Sequence, residues 1–441
     1  MESMCKIHGN IEYTLSLLSS FHYIFFKGVK HVKICLYLLY SMKAKNGLFI
    51  FHRDFRIQDN IGLITASKLC ETLYTCFIFT PEQVGYKNPY RSSNAIQFMI
   101  ESLEELSSTI STAGGRLIVL YGDQIQMVKR LTKDLKLDLV AFNSDYTPYA
   151  VERDKKTAVF CSENHIQCLT YCDYYLFEPG SILTGSGTAY KKYTPFYNEA
   201  IRLPVIQRES VRSISLQSLR PLPYEILLPD ALNMFSKPNA EILVRGGRQL
   251  ALAKLKKACK DQTEYDSRRD FFITKTTRLS AYIKFGCVSI REVFHAFKRA
   301  FGLHHGLIRE LIWREFFAHV LYAYPEVVGK SYQPRYRSIR WVNNTTAFEQ
   351  WKNGSTGFPI VDASMRELNN TGYMHNRGRM VVATFLIKSL LIDWRWGEKY
   401  FAQMLTDYDL ASNNGNWQGI SGTGVDMKPY FRDMNPWIQS A

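Results

Sequence analysis

Four stretches of the C-terminal half combine side chains that a plain hydrophobic core does not need. In Glu310-Leu-Ile-Trp313-Arg314-Glu-Phe-Phe317, the residues Glu310, Trp313, Arg314 and Phe317 fall at i, i+3, i+4 and i+7, so a helix would place them on one face. Carboxylate, indole and guanidinium together can grip a half-polar ligand; an exposed ion pair beside an incidental aromatic is the plainer alternative. In Met374-His-Asn376-Arg377-Gly-Arg379-Met380, a second helical face gathers Asn376, Arg379, Met380 and Ala383. Amide, guanidinium and thioether suit a ligand with one polar and one apolar side, or simply a mixed buried face. The run Asp407-Tyr408-Asp409-Leu-Ala-Ser-Asn413-Asn414-Gly415-Asn416-Trp417 is dense in turn formers, whose side chains could do no more than cap helices. Finally, Thr276-Thr277-Arg278-Leu279-Ser280 opens a helical pattern with hydroxyls. These are ordinary caps, or with free N–H groups they could hold a diphosphate.

The surrounding pattern implies three bodies of chain. From Gly47, short apolar or β-branched runs at 48–51, 73–79, 116–120, 139–142 and 168–171 alternate with helical periodicity such as Ala95, Phe98, Met99, Leu103 and Leu106. That alternation predicts an α/β N-terminal domain over 46–178, with a parallel, Rossmann-like sheet covered on both faces. No G-x-G-x-x-G follows the first run, so the usual dinucleotide fingerprint is absent. Residues 179–240, rich in Gly, Ser and Pro, read as a long connector, and 241–441 as an all-helical domain.

Charge narrows the partners. Residues 241–441 hold 29 Lys and Arg against 18 Asp and Glu, a surplus of 11 out of the chain's net 15 positive charges. A cationic surface of that size attracts phosphate backbones by releasing counterions, or is a solvated surface with no partner. The nine cysteines form no C-x-x-C pair and none follows Cys287, which argues against a zinc site, an iron–sulfur cluster or a secreted disulfide framework. A reducing, intracellular setting fits best. The apolar residues in 11–40 are interrupted by Lys27, Lys30 and Lys33, too early for a membrane span, and no small-residue cleavage site follows.

Taken together, the four segments resemble the photolyase/cryptochrome family. The likeness runs from His52-Arg53-Asp54-Phe55-Arg56-Ile-Gln-Asp59-Asn60 through Thr356-Gly357-Phe358-Pro359-Ile360-Val361-Asp362 to Asn435-Pro436-Trp437. It implies an antenna domain, a wrapping connector and a helical domain that binds FAD, with residues 1–45 an extension outside the family and the helical domain shortened at its C-terminus. By resemblance, Tyr265, Thr276, Thr277, Arg278, Leu279 and Ser280 contact the FAD phosphates and ribityl chain. Arg379 and Asp407 form the ion pair beside the flavin, Tyr408 and Asp409 lie next to it, and Asn413 faces its N5. Trp417, Trp394 and Trp341 match a chain of indoles that carries electrons from the surface. Glu310 and Trp313 match the carboxyl and indole that hold a pyrimidine dimer, with Asn376 and Met380 lining its pocket and Arg269, Arg377 and Arg432 on the DNA phosphates.

Asn413, Met380 and a lone His375 where another branch has a His pair favour the class I enzymes for cyclobutane dimers. Gly419 departs from the pattern, since a second pocket tryptophan is expected there. The implied activity is light-driven repair of damaged DNA by a monomer. The alternative is an FAD-binding photoreceptor, or a remnant without repair. A second antenna chromophore, folate or deazaflavin, stays open: Asp145-Tyr146-Thr147-Pro148-Tyr149 and Glu152-Arg153 do not choose between them.

Overall fold

Alternation of side chains along the first strand organises the N-terminal half. The computed structural model describes residues 43–207, 214–425 and 434–439. Strands β1 (Ala44–Phe51), β2 (Cys70–Phe79), β3 (Leu117–Tyr121), β4 (Leu139–Asn143) and β5 (Gln167–Tyr171) form one sheet in the order β3-β2-β1-β4-β5. Every neighbouring pair is parallel, as the five apolar runs predict. On β1, Phe49 and Phe51 enter one buried cluster while Leu48 and Ile50 enter another on the opposite face. Helices α1 (Ile61–Leu69) and α2 (Ser93–Thr112) cover the first face; α3 (Gln124–Leu135) and α4 (Pro148–Glu163) cover the second.

The connector is less irregular than its composition suggests. It contains α5 (Tyr193–Ala200) and α6 (Leu228–Phe235). Each buries an apolar edge, Tyr193/Phe196/Ala200 and Leu228/Ala231/Phe235. Two turns of helix supply too few residues for their period to stand out among Gly and Pro. Beyond it lie α7 (Arg248–Asp261), α8 (Ser280–Lys284), α9 (Ile290–Phe301), α10 (Gly306–Ala323), α11 (Thr345–Asn353), α12 (Pro359–Thr371), α13 (Asn376–Thr384), α14 (Trp394–Met404) and α15 (Leu410–Ser421), with a π-helical turn at Phe385–Ser389. Among the described residues no helix is long and apolar enough to cross a membrane.

The loop after β1 fastens sheet to helices. Strand order reverses between β1 and β4, so this loop sits at the carboxyl edge of the sheet, where α/β folds place functional groups. Here Arg56 pairs with Asp173, while Arg291 on α9 meets both Asp173 (2.7 Å) and Asp59 (3.2 Å). All four side chains are buried. Buried charges are tolerable only when paired and hydrogen-bonded, and removing one partner from such a set costs about 3–5 kcal/mol. The motif His52–Asn60 is thus, in large part, a structural joint.

Candidate active site

Two adjoining cavities in the helical region collect most of the residues singled out from sequence. The inner one, about 150 Å³, lies between α13 and α15 and is lined by Asn376, Arg379, Met380, Asp407, Tyr408, Asp409, Asn413 and Trp417. Arg379 Nη2 donates to Asp407 Oδ2 at 3.0 Å, and Ser280 Oγ donates to the same oxygen at 2.6 Å. The other oxygen, Asp407 Oδ1, is buried with no partner among the described residues. A buried carboxylate oxygen left unsatisfied is costly, so the site is built to receive a donor.

Asp409 does what its turn-forming neighbours suggested: it caps α15, its Oδ1 accepting from Ser412 N at 3.0 Å. Its other oxygen meets Arg53 at 3.4 Å, and Arg53 also reaches Asp145 (3.2 Å) and the Tyr175 hydroxyl (2.7 Å). Burial opposes ionisation of Asp409, but Arg53 and Arg314 outweigh it and hold the carboxyl below its usual range. Asn413 donates through Nδ2 to the Glu398 carbonyl (3.2 Å) and to Glu398 Oε1 (3.3 Å), leaving its own Oδ1 as an acceptor. Burial pushes the Glu398 carboxyl up to about 7, against the pull of the bonds from Asn413 and Tyr408.

The outer cavity, about 390 Å³, is lined by Tyr265, Thr276, Thr277 and Arg278 with Lys254, Lys257, Arg268 and Lys275. The helix expected to open with hydroxyl caps does not do so: α8 begins only at Ser280, and its N-cap, Leu279, has no side-chain bond. Instead Thr277 Oγ1 accepts from Leu279 N at 3.3 Å, and Arg278 takes a left-handed φ of 53°, uncommon for a residue with a Cβ. Leu279 is buried, and Ser280 turns to Asp407. Tyr373 joins the two cavities: its hydroxyl lies 3.3 Å from Thr276 Oγ1, and its ring lies within cation–π reach of Arg278 and Arg379. Burial and the neighbouring Arg278 lower the Lys254 pKa. Asp261 and Glu264 also line the cavity and pair with Lys257 (2.8 Å) and Arg268 (3.2 Å), so Lys254, Lys275 and Arg278 are the lining cations that a diphosphate would relieve.

On α10 the shared face divides between different partners. Glu310 does not pair with Arg314; its Oε1 accepts from Arg269 Nη1 at 2.6 Å. Burial raises the Glu310 pKa and Arg269 opposes the rise. Arg314 instead donates to the Tyr174 carbonyl at 2.8 Å and lies over the Tyr175 ring. Trp313 lies flat on Tyr193, ring centroids 3.5 Å apart, and outside the inner cavity. One turn on, Phe317 stacks against Trp313, and it fills the space a Cβ on Gly415 would need. That glycine therefore lets α15 approach the Trp313 edge of α10. Arg377 pairs with Asp270. Arg432, expected on a DNA phosphate, lies outside the described residues.

Sequence spacing could not bring the three indoles together, but the fold does. Trp394 and Trp417 are buried in one cluster, against which Trp341 packs; Trp341 and Trp394 also line a common surface cavity. Trp351, which no sequence pattern singled out, stands edge-on to Trp417 at 6.4 Å and donates through Nε1 to the Val382 carbonyl. Arg53 and Glu398 were likewise missed. Their partners lie 356 and 15 residues away, so local periodicity carries no trace of either contact.

A parallel sheet joined to a helical cradle, with a cationic cavity opening beside a carboxylate-lined one, defines a protein built around a nucleotide-type cofactor. Family models confirm and sharpen that class. Residues 48–209 match the model described as DNA photolyase, and 307–441 that described as the FAD binding domain of DNA photolyase. A deoxyribodipyrimidine photo-lyase of Synechococcus is 35% identical over 412 residues, covering 89% of this chain and 84% of the relative. The archaeal photolyase of Sulfolobus tokodaii, solved with two FAD molecules, superposes with a TM-score of 0.80 at 39% identity, covering 90% of this chain and 86% of that one. The cryptochrome of Synechocystis superposes at 0.82 with 26% identity, covering 90% and 86%. The chain belongs to the DNA photolyase family, and its helical region is an FAD-binding domain.

Proposed function

We propose that the protein reverses cyclobutane pyrimidine dimers in DNA, driven by light, with FAD in the two cavities and the dimer at the mouth of the inner one. The observation that carries the reading is the make-up of the inner cavity. Asp407, Asp409 and Asn413, the residues for the flavin, and Asn376 and Met380, the residues for a pyrimidine pair, line the same space. FAD supplies, when reduced and excited, the electron that opens the dimer.

The chain does the rest. Lys254, Lys275 and Arg278 would hold the diphosphate beside the Thr276 and Thr277 hydroxyls. The Arg379–Asp407 pair, fixed by Ser280, orients the ring system, and Asp407 Oδ1 accepts from it. Glu398 pins the Asn413 amide, so its Oδ1 would be free to accept a hydrogen bond from the bound flavin. Glu310, a carboxyl whose pKa burial raises, hydrogen-bonds the dimer once Arg269 turns to a phosphate. Trp417, Trp394 and Trp341, packed in one cluster, would pass electrons inward from the surface toward the cofactor. A dimer is extruded from the duplex more cheaply than an intact pair because it stacks and pairs poorly.

The test is dimer reversal on ultraviolet-irradiated oligo(dT) by the FAD-loaded protein under blue light, with a dark control. Loss of dimers only in the light supports the reading; FAD uptake without reversal sinks it. One feature favours a photoreceptor instead. Gly419 is exposed where a pocket wall is expected, and the same experiment decides between the two.

A further inference from the structure

A third cavity, about 300 Å³, opens on the surface where Trp341 and Trp394 meet, and Lys330, Tyr336, Arg337 and Arg395 complete its walls. Its charge is one-sided. No Asp or Glu occurs between Val327 and Phe348, whereas Lys330, Arg335, Arg337 and Arg340 all do. Arg395 is held by Asp393, with Nε 2.9 Å and Nη2 2.5 Å from the same oxygen. Lys330 and Arg337 are exposed, and neither has a carboxylate in ion-pair reach among the described residues. Among the described residues, Arg337 is steadied by donating from Nε to the Ser331 carbonyl at 3.0 Å. The site is thus concave, aromatic-walled and cationic, at the small end of the size range for ligand pockets. Neither FAD nor DNA, as placed above, uses it.

We propose that this cavity docks a small anionic electron donor of the enediolate type, which reduces the outer indole after that indole has been oxidised. The proposal rests on the reading of Trp341, Trp394 and Trp417 as an electron relay. The electrostatics favour it from both sides. Uncompensated cations next to Trp341 raise the cost of its radical cation and so make it a stronger oxidant. The same cations draw an anion into contact with the ring. In the step itself the bound monoanion gives one electron to the Trp341 radical cation. The indole becomes neutral again, and the donor becomes its own radical anion, releasing one proton to water. The relay is then cleared before the electron can run back outward to Trp341.

Ascorbate is the probe, with dithiothreitol, uncharged at pH 7, as the neutral donor. Two measurements are made on the FAD-loaded protein: ascorbate binding in the dark by calorimetry, and the decay of the indole radical after a laser flash as donor concentration rises. The decay rate is expected to saturate with ascorbate at the concentration at which dark binding saturates, and to rise linearly with dithiothreitol. Lys330→Glu with Arg337→Gln removes the saturation and slows decay at low ascorbate by about tenfold, leaving the dithiothreitol rate and FAD content unchanged. A linear ascorbate dependence equal in both proteins overturns the proposal. So does dark binding that leaves radical decay untouched, which would mean an anion site without a donor role. Failure to form any indole radical would instead bring down the relay reading, and the proposal with it.

Discussion

At the scale of single residues, the informative positions are those where the cavity lining and the family pattern part company. Gly419 is the clearest. A Cβ built there meets nothing within 4 Å, and φ is not in the left-handed region, so neither packing nor backbone requires glycine. Stacking on an aromatic is worth roughly 1–3 kcal/mol per base. Gly419→Trp is therefore expected to tighten binding of dimer-containing DNA by about tenfold or more, with repair per bound dimer unchanged, in a titration paired with single-turnover repair. Unaltered affinity would mean the wall is already supplied by another side chain. Tyr373, with its hydroxyl beside Thr276 and its ring near two arginines, is committed to the cofactor side. Trp417 makes the opposite case, because it is buried between Phe401 at 5.0 Å and Gly397, whose missing Cβ leaves room for the indole. Trp417→Phe keeps an aromatic of smaller size. Light-driven reduction of the bound cofactor should fall at least tenfold, by about the amount that 1.4 kcal/mol of barrier represents, while repair by chemically reduced protein stays intact. Equal photoreduction in both proteins would remove Trp417 from the relay.

At the scale of elements, α10 is docked onto the sheet domain by a buried carboxyl. Glu315 is fully buried and accepts from Leu176 N (3.0 Å) and Phe177 N (3.2 Å). Burial pushes its pKa up to about 7 from 4.5, against Arg314 and the two N–H groups. The folded state thus holds this proton more tightly than the unfolded chain does. Its contribution to stability is fully present below about 4.5 and is lost as pH rises to about 7, a loss of roughly 3 kcal/mol. Glu315→Gln keeps an oxygen acceptor and removes the charge. The stability gap in favour of the variant, from urea midpoints, should widen between pH 4.5 and 7 and stay flat above; a constant gap would exclude Glu315 as the titrating group. Which elements exist was largely readable from sequence, because a parallel sheet buried on both faces leaves short continuous runs of apolar, β-branched and aromatic residues, as along Leu48–Phe51 and Leu139–Phe142. The α8 start was not, since Thr276-Thr277 and Arg278 stand ahead of the helix in a non-helical stretch that contacts Tyr373, nearly a hundred residues on. The same holds for the site: Arg379 and Asp407 were legible as a pair by resemblance, whereas Arg53 on Asp409 and Glu398 on Asn413 arise from tertiary packing alone.

At the scale of the whole molecule, the question is which part of the positive surface meets DNA. The surplus of 11 charges in residues 241–441 is larger than any one site uses. Some is spent internally: Arg291 is buried in the joint with the sheet, Arg248 is bound to Glu292 (2.8 Å), and Arg379 to Asp407. Arg269 and Arg377 are different, because their partners, Glu310 and Asp270, are partly exposed and the pairs can exchange with solvent. Exposed pairs of this kind are worth little, so a phosphate can take either guanidinium at small cost, and on the proposed reading the exchange at Arg269 would free Glu310 for the dimer. Each guanidinium placed on a phosphate releases condensed counterions and adds close to one unit to the slope of log affinity against log salt. Arg269→Ala and Arg377→Ala should each lower that slope by about one, measured by fluorescence anisotropy on a dimer-containing duplex across a range of salt. Lys129→Ala, an exposed cation on α3 in the sheet domain, should leave it unchanged. The Arg269 variant carries a second signature, since it also leaves Glu310 without its cation and so raises the carboxyl's pKa further. Its affinity should depend on pH differently from that of the Arg377 variant, although the two lose the same salt slope. If all three substitutions lowered the slope equally, DNA would be held by diffuse charge rather than at the mouth of the inner cavity.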